Sequence, residues 1–256
     1  MTRLDRDEGL AVLTIDEPPL NLYTTSLQFS LLSILDELEA DPARALLIRA
    51  DGRVVGGGVD VALFDAQGSA AEARGFLDAL MAVSDRFAAL PFPTVFAAHG
   101  LCLTWAFEVA LACDLLWAAS SAKFGLVEKT VGLTPAMGGT ARLAARAGVA
   151  RAKELVYTGE TFAASALQQW NVVNRVLPDD GFDAAVRAFA AELAAGPTRA
   201  HAATKRVLAH FEHGGVPEAN AHVTAIAAEL FDTEDTRGAV KSFLNDGPGK
   251  ARFTGR

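Results

Sequence analysis

Cysteine is nearly absent from the chain: 256 residues contain only Cys102 and Cys113, both inside apolar sequence. Two such thiols form no disulfide framework and no spaced metal set, and they read as reduced core residues of a cytoplasmic protein. Basic residues are also short, with 23 Lys and Arg against 31 Asp and Glu and a net charge of −8. A nucleic-acid binder needs a basic face, so that class is disfavoured, and an anionic small ligand would need a local cluster of Lys or Arg. There is no GxGxxG and no Walker A motif, which removes the common nucleotide-phosphate cradles. No internal repeat or low-complexity tract stands out, and the opening Met1-Thr2-Arg3-Leu4-Asp5-Arg6-Asp7-Glu8 is too charged for a signal peptide.

Charge is missing altogether from residues 87–107. That is long enough to span a bilayer. However, Pro91 and Pro93 break its start and His99-Gly100 interrupts its middle, so the stretch reads as shorter buried elements and not as a membrane helix.

What is present is an ordinary globular composition, 51% hydrophobic and 21% charged, on a chain long enough for one sizeable core plus a smaller helical part. Continuous apolar runs at 10–15, 45–48, 94–98, 115–118 and 172–176 predict strands buried on both faces. Between them, Leu27, Leu31, Ile34, Leu35 and Leu38 form one helical stripe closed by Asp41-Pro42. Ser69-Ala70-Ala71-Glu72 reads as a capping box opening a second helix, with Phe76, Leu80, Val83, Phe87 and Leu90 on one face. Alternating strands and helices predict an α/β core. After Gly196-Pro197 no good strand follows, and 198–211, 217–231 and 233–245 read as helices. The expected division is therefore a core over 1–195 and a helical C-terminal part over 196–256.

Glu108 is the only Asp, Glu, Lys or Arg in residues 87–113, and Trp105, Val109, Ala110 and Cys113 around it have helical spacing. A carboxylate in such surroundings is unfavourable unless paired or protonated, and burial raises its pKa, which is how a general acid or base is made from Glu. The bland alternative is a helix carboxylate facing solvent or capping a backbone group. Glu128, beside Lys129, has no local distinction and reads alone as a surface ion pair. Gly56-Gly57-Gly58 and Gly138-Gly139 are either tight turns or places where backbone N–H groups approach a ligand. His210 and His213, three apart near a helix end, are a weak candidate metal pair; His99 reads as a core residue, and His201 and His222 as helix surface.

The run His99-Gly100-Leu101-Cys102-Leu103-Thr104-Trp105-Ala106-Phe107-Glu108-Val109-Ala110-Leu111-Ala112-Cys113-Asp114 resembles the signature of the crotonase family, the enoyl-CoA hydratases and isomerases. Ala122-Lys123-Phe124-Gly125-Leu126-Val127-Glu128 resembles it too, with Gly132, Pro135 and Gly138 to Leu143 following. Gly52-Arg53-Val54-Val55-Gly56-Gly57-Gly58-Val59-Asp60 is similar to that family's thioester-binding loop, and the order holds through Glu154-Leu155, Thr158-Gly159, 172–176 and Phe253-Thr254-Gly255-Arg256.

The resemblance implies an α/β spiral of ββα repeats whose helical C-terminal part assembles a homotrimer or a dimer of trimers. It implies an acyl-CoA thioester as substrate, with coenzyme A part of that substrate and no metal or redox cofactor. Its oxyanion donors correspond to the Val59 and Trp105 N–H groups, and its hydratase pair to Glu108, which activates water, and Glu128, which supplies the Cα proton. Gly57, Gly58, Asp60 and Arg53 correspond to substrate-binding positions, and Lys250 and Arg252 are further candidates for the ligand's phosphates. Hydration of a 2-enoyl-CoA is the expected reaction. Double-bond isomerisation, thioester hydrolysis, decarboxylation through the same enolate, and non-catalytic thioester binding are the alternatives. The sequence departs from the family where glycines usually precede the first glutamate: here stand Thr104-Trp105-Ala106-Phe107. The Trp105 ring is expected beside the site, where it would fill the acyl pocket, narrow it to small substrates, stack on a planar acyl group, or shift the N–H and weaken the oxyanion hole.

Overall fold

The computed structural model describes all 256 residues. In chain order the elements are β1 Arg3–Asp7, β2 Leu10–Ile15, α1 Thr25–Ala40, β3 Ala45–Ala50, β4 Val54–Gly56, α2 Ala62–Asp65, α3 Ala70–Ala89, β5 Thr94–Ala98, β6 Leu101–Leu103, α4 Trp105–Ala112, β7 Leu115–Ala119 and β8 Lys123–Gly125. A single 3₁₀ turn, Glu128–Val131, precedes α5 Gly139–Ala147, α6 Val149–Thr158, β9 Phe162–Ala163, α7 Ala164–Gln169, β10 Arg175–Leu177, α8 Phe182–Ala195, α9 Thr198–Ala228 and α10 Glu234–Asp246, with a second 3₁₀ turn, Glu229–Asp232, before α10.

The strands sort into a six-stranded sheet, β1-β2-β3-β5-β7-β10, and a four-stranded sheet, β4-β6-β8-β9. Each successive pair β3–β4, β5–β6 and β7–β8 gives one strand to each sheet before the chain turns into helices, which is the expected spiral of ββα turns. Within each sheet these strands pair in parallel. The repeat is one of backbone path alone, since its three turns share no visible sequence pattern.

The large sheet is buried on both faces, which explains why β2 and β5 are buried at every position and largely apolar without alternating. One face joins the main core with Leu13, Ile48, Phe96 and Leu116. The other is covered by α8, whose Phe182, Val186, Ala190 and Ala194 pack on Val12, Leu47, Val95 and Trp117.

Most expected elements occur; the short strands of the second sheet lie outside the predicted apolar runs, and three further differences have a physical reason. β1 carries Arg3, Asp5, Arg6 and Asp7 and is largely exposed, a charged edge strand that apolar patterning cannot detect. The last strand begins at Arg175 and not at residue 172, because Asn174 imitates a strand neighbour: its Oδ1 accepts Leu116 N–H at 2.8 Å and its own N–H donates to Leu116 O at 2.8 Å. In the capping box, Ser69 Oγ accepts Glu72 N–H as expected, but Glu72 reaches back to Gly68 N–H.

Helix α9 is two helices meeting at Gly214-Gly215, whose backbone is non-helical, with Pro217 opening the second. The C-terminal tail returns to Asp235, which is 6% exposed and accepts the Thr254 and Gly255 N–H groups at 2.7 and 2.8 Å. Arg44 holds the same tail through Phe253 O and joins it to Gly196 O. Replacing Asp235 by Ala strands these donors and should destabilise the protein by about 2–3 kcal/mol, read as a lower urea midpoint with an unchanged m-value.

Candidate active site

Helix α4 is apolar on every side and all eight of its residues are buried, including Glu108. The carboxylate, 2% exposed, is taken up by the next turn of the spiral: Oε2 accepts Met137 N–H at 2.8 Å and Gly139 N–H at 2.7 Å. Gly138 adopts φ +83°, which turns the chain into α5, and a Cβ at Gly139 would lie 2.6 Å from Glu108 Cγ. The two glycines therefore serve Glu108. The anion received at the start of α5 is the protein's own carboxylate, not a ligand's. The 137 loop is fixed from behind, where Met137 O accepts Ser84 Oγ–H at 2.6 Å and an Arg142 N–H at 2.8 Å.

Burial pushes the Glu108 carboxyl up to about 7, against the lowering effect of the N–H bonds from Gly139, Met137 and Ala136. Glu128 begins the 3₁₀ turn after β8. Its pKa is likewise raised to about 7, chiefly by burial and further by the negative charge of Glu108. Its Oε2 is buried with no hydrogen-bond partner in the protein. One carboxyl is thus tethered and the other unpartnered, in mutual electrostatic contact and both poised near neutrality.

Two backbone N–H groups without backbone acceptors lie on the loop after β4 and at the start of α4. Tyr23 N–H donates to Gly58 O at 2.9 Å and Asp60 N–H to Tyr23 O at 3.0 Å, leaving Val59 between them with its N–H unused. Trp105 is the first residue of α4, and its N–H also has no backbone acceptor. The loop and the helix start adjoin: a Cβ on Gly58 would lie 3.8 Å from Thr104 Oγ1, and one on Gly56 would meet Ala106 Cβ at 2.5 Å and the Trp105 ring at 3.1 Å.

The Trp105 ring packs into the core beside the loop. It is fully buried, its Nε1–H donates to Asn21 O at 3.1 Å, and it packs tilted on Tyr23 at 5.6 Å between ring centroids. The ring fills core space that Gly56 leaves open. Thr104 does depart from ordinary geometry. It sits at φ +46°, ψ −117°, a conformation natural to glycine and strained for a β-branched residue, and its buried hydroxyl has no partner.

The remaining expected residues are placed less centrally. Gly57 N–H donates to Leu20 O at 2.8 Å, and its missing Cβ lets the loop lie against that carbonyl. The Asp60 carboxylate accepts Ala62 N–H at 3.1 Å, bracing its own loop. Arg53 is exposed on the turn between β3 and β4. Lys250 and Arg252 are exposed on the chain leading into the tail that Asp235 and Arg44 hold, and no bond links them to the loop. His99 is half-buried and bonded to Gly52 O. His201 is half-buried on α9 with its Nδ1 unpartnered. His210 pairs with His222 and not with His213. Cys102 and Cys113 are buried free thiols, and burial pushes the Cys113 thiol up to about 12.

Sequence reasoning missed Met137, Arg142 and Asn21. Asn21 ties the loop together, donating to Asp51 O and Val54 O while its own carbonyl receives the Trp105 indole. Met137 acts through its backbone, so nothing in its identity could have marked it. Arg142 lies four residues after Gly138, and the glycines beside it were the only available signal.

Residues 5–256 match the family model described as enoyl-CoA hydratase/isomerase, so the chain belongs to that family. A probable enoyl-CoA hydratase of Rhodobacter capsulatus is 31% identical over 99% of this chain and 98% of its own. One from Mycobacterium avium is 37% identical over 78% of each chain. The crystal structure of an enoyl-CoA hydratase from Bacillus anthracis superposes with a TM-score of 0.92, covering 100% of this chain and 99% of the other at 22% identity, which establishes the crotonase fold.

The geometry assigns opposite consequences to the two unusual residues before Glu108. Trp105→Gly empties a filled core position and should lose about 3–5 kcal/mol of stability. Thr104→Gly relieves the strained backbone and should gain about 1 kcal/mol. Chemical denaturation of both variants checks the pair. A Trp105→Gly protein as stable as the parent would contradict the placement of the ring.

Proposed function

We propose that the protein hydrates the 2,3 double bond of a 2-enoyl-CoA thioester. The observation that carries this is the pair of carboxyls, both near 7, one tethered to two backbone N–H groups and the other with a buried, unpartnered oxygen. They stand with two backbone N–H groups that have no acceptor in the protein.

In the proposed reaction the thioester carbonyl oxygen accepts from the Val59 and Trp105 N–H groups. Water oxygen bonds to Cβ and its proton passes to Glu108. The double-bond electrons move toward Cα and the thioester oxygen, where the two donors stabilise the enolate. The enolate then collapses as Cα takes a proton from Glu128. Glu108 begins ionised and ends protonated, Glu128 does the reverse, and pKa values near 7 let both reset in neutral water. Every step runs through these carboxyls and amides, with coenzyme A entering as part of the substrate.

Gly57, Gly58 and Asp60 set the path of the loop that presents Val59, and Arg53 meets the ligand's phosphates, a role supported by its exposure and lack of an ion pair. The chain assembles as a homotrimer or a pair of trimers through residues 196–256, a reading supported by exposed Phe211, Phe231, Phe243 and Leu244. Its two free thiols support a cytoplasmic setting, and no helix is long and apolar enough to cross a membrane.

Hydration needs one carboxyl ionised and the other protonated. With both values near 7, acid protonates the pair and removes the base, alkali ionises the pair and removes the acid, and the rate should fall on both sides of an optimum near neutrality. Glu108→Gln and Glu128→Gln should each lower kcat by about 10²–10⁴-fold on a short 2-enoyl-CoA, followed by loss of the conjugated enone absorbance, with CoA-ester binding retained. Turnover that moves the double bond without adding water would redirect the proposal to isomerisation.

A further inference from the structure

Far along the chain from the glutamates, the break in α9 creates a second cluster of ligating side chains. At Gly214-Gly215 the backbone leaves the helix, with φ −141° and then +69°, and the second half-helix starts at a new angle. This brings His210 of the first half against Glu218 and His222 of the second. A Cβ at Gly214 would lie 2.6 Å from Glu218 Cβ, so only glycine at 214 lets Glu218 come in this close. Glu218 and His222 are four apart and share one helix face.

The His210 and His222 rings stack at 3.7 Å between centroids with 7° between planes. Glu218 Oε1 lies 3.7 Å from His210 Nδ1 and 3.5 Å from His222 Nδ1, and one ligand atom from each of the three residues can be chosen within 4.8 Å of the others. His222 Nδ1 also lies 2.9 Å from Glu218 O. A proton on Nδ1 donated to that carbonyl fixes the tautomer and leaves Nε2 as a lone-pair donor, the arrangement usual behind metal-bound histidines.

We propose that His210, Glu218 and His222 bind one zinc ion, which staples the two halves of α9 across the Gly214-Gly215 break. Two imidazoles and one carboxylate form a ligand set suited to zinc, with a fourth position for water. One ion cannot lie in two parallel ring planes 3.7 Å apart, so binding tilts a ring out of the stack. The three side chains are 35–44% exposed, and the tilt meets little packing. The site is independent of the proposed reaction: neither glutamate takes part, and its readout is zinc itself.

The experiment strips the full chain with EDTA and titrates it with zinc chloride by calorimetry, with thermal unfolding in parallel. The expected result is one zinc per chain and a Tm increase of about 5 °C at zinc a hundredfold above Kd. Affinity should fall at least tenfold in His210→Ala and in His222→Ala, while His213→Ala binds as the parent does. Gly214→Ala, which leaves all three ligands in the sequence, should also weaken binding by pushing Glu218 away. Absence of zinc uptake by the parent, or equal uptake by the His210→Ala/His222→Ala double variant, would overturn the proposal.

Discussion

The hydrogen bonds from Met137 and Gly139 N–H to the Glu108 carboxylate are the joint on which the site depends. They tie α4, in the second turn of the spiral, to the start of α5, after the third. A carboxylate this deep would be strongly unfavourable alone. Two short charge-assisted bonds make it tolerable, and burial outweighs their lowering effect, which leaves its pKa near 7 and not near 4.5. The joint is stable because Glu108 can carry charge, and burial makes that charge one held reluctantly. Ser84 and Arg142 extend the joint outward by fixing the far side of the Met137 peptide. Glu128 inherits part of its own raised pKa from the same charge.

A second constraint concerns space. The loop carrying Val59 and the start of α4 adjoin so tightly that a methyl group on Gly56 would collide with Ala106. In this protein the bulk is at Trp105 and the vacancy at Gly56. The indole turns inward to Asn21, while the Trp105 backbone N–H has no acceptor in the backbone. Asn21 in turn binds the loop at Asp51 and Val54. The bulk of Trp105 is thereby absorbed in the core, while Thr104, immediately before it, holds a strained backbone that glycine would adopt without strain.

Much of this was legible in the residues, for identifiable reasons. Continuous apolar runs revealed strands buried on both faces, and Glu108 stood out as a lone carboxylate in apolar sequence. Glu128 did not, because its burial is imposed by elements distant in the chain; only the family resemblance marked it. The contacts of the Trp105 ring with Asn21 and Tyr23 belong to the fold alone, since sequence places a residue on a helix without saying which neighbour has withdrawn its side chain. Gly138-Gly139 were read as a possible ligand contact when the incoming anion is internal. The histidine cluster was hidden by the same limit: His210 looked toward His213 by spacing, but the Gly214-Gly215 break gives it His222 instead.

The central claim is that burial poises both glutamates near neutrality in the folded protein. The most direct measurement is a pH titration of the side-chain carboxyl ¹³C resonances of Glu108 and Glu128, assigned with Glu108→Gln and Glu128→Gln. The account predicts two coupled titrations centred near pH 7. Both carboxyls titrating near 4.5, as free glutamates do, would contradict it.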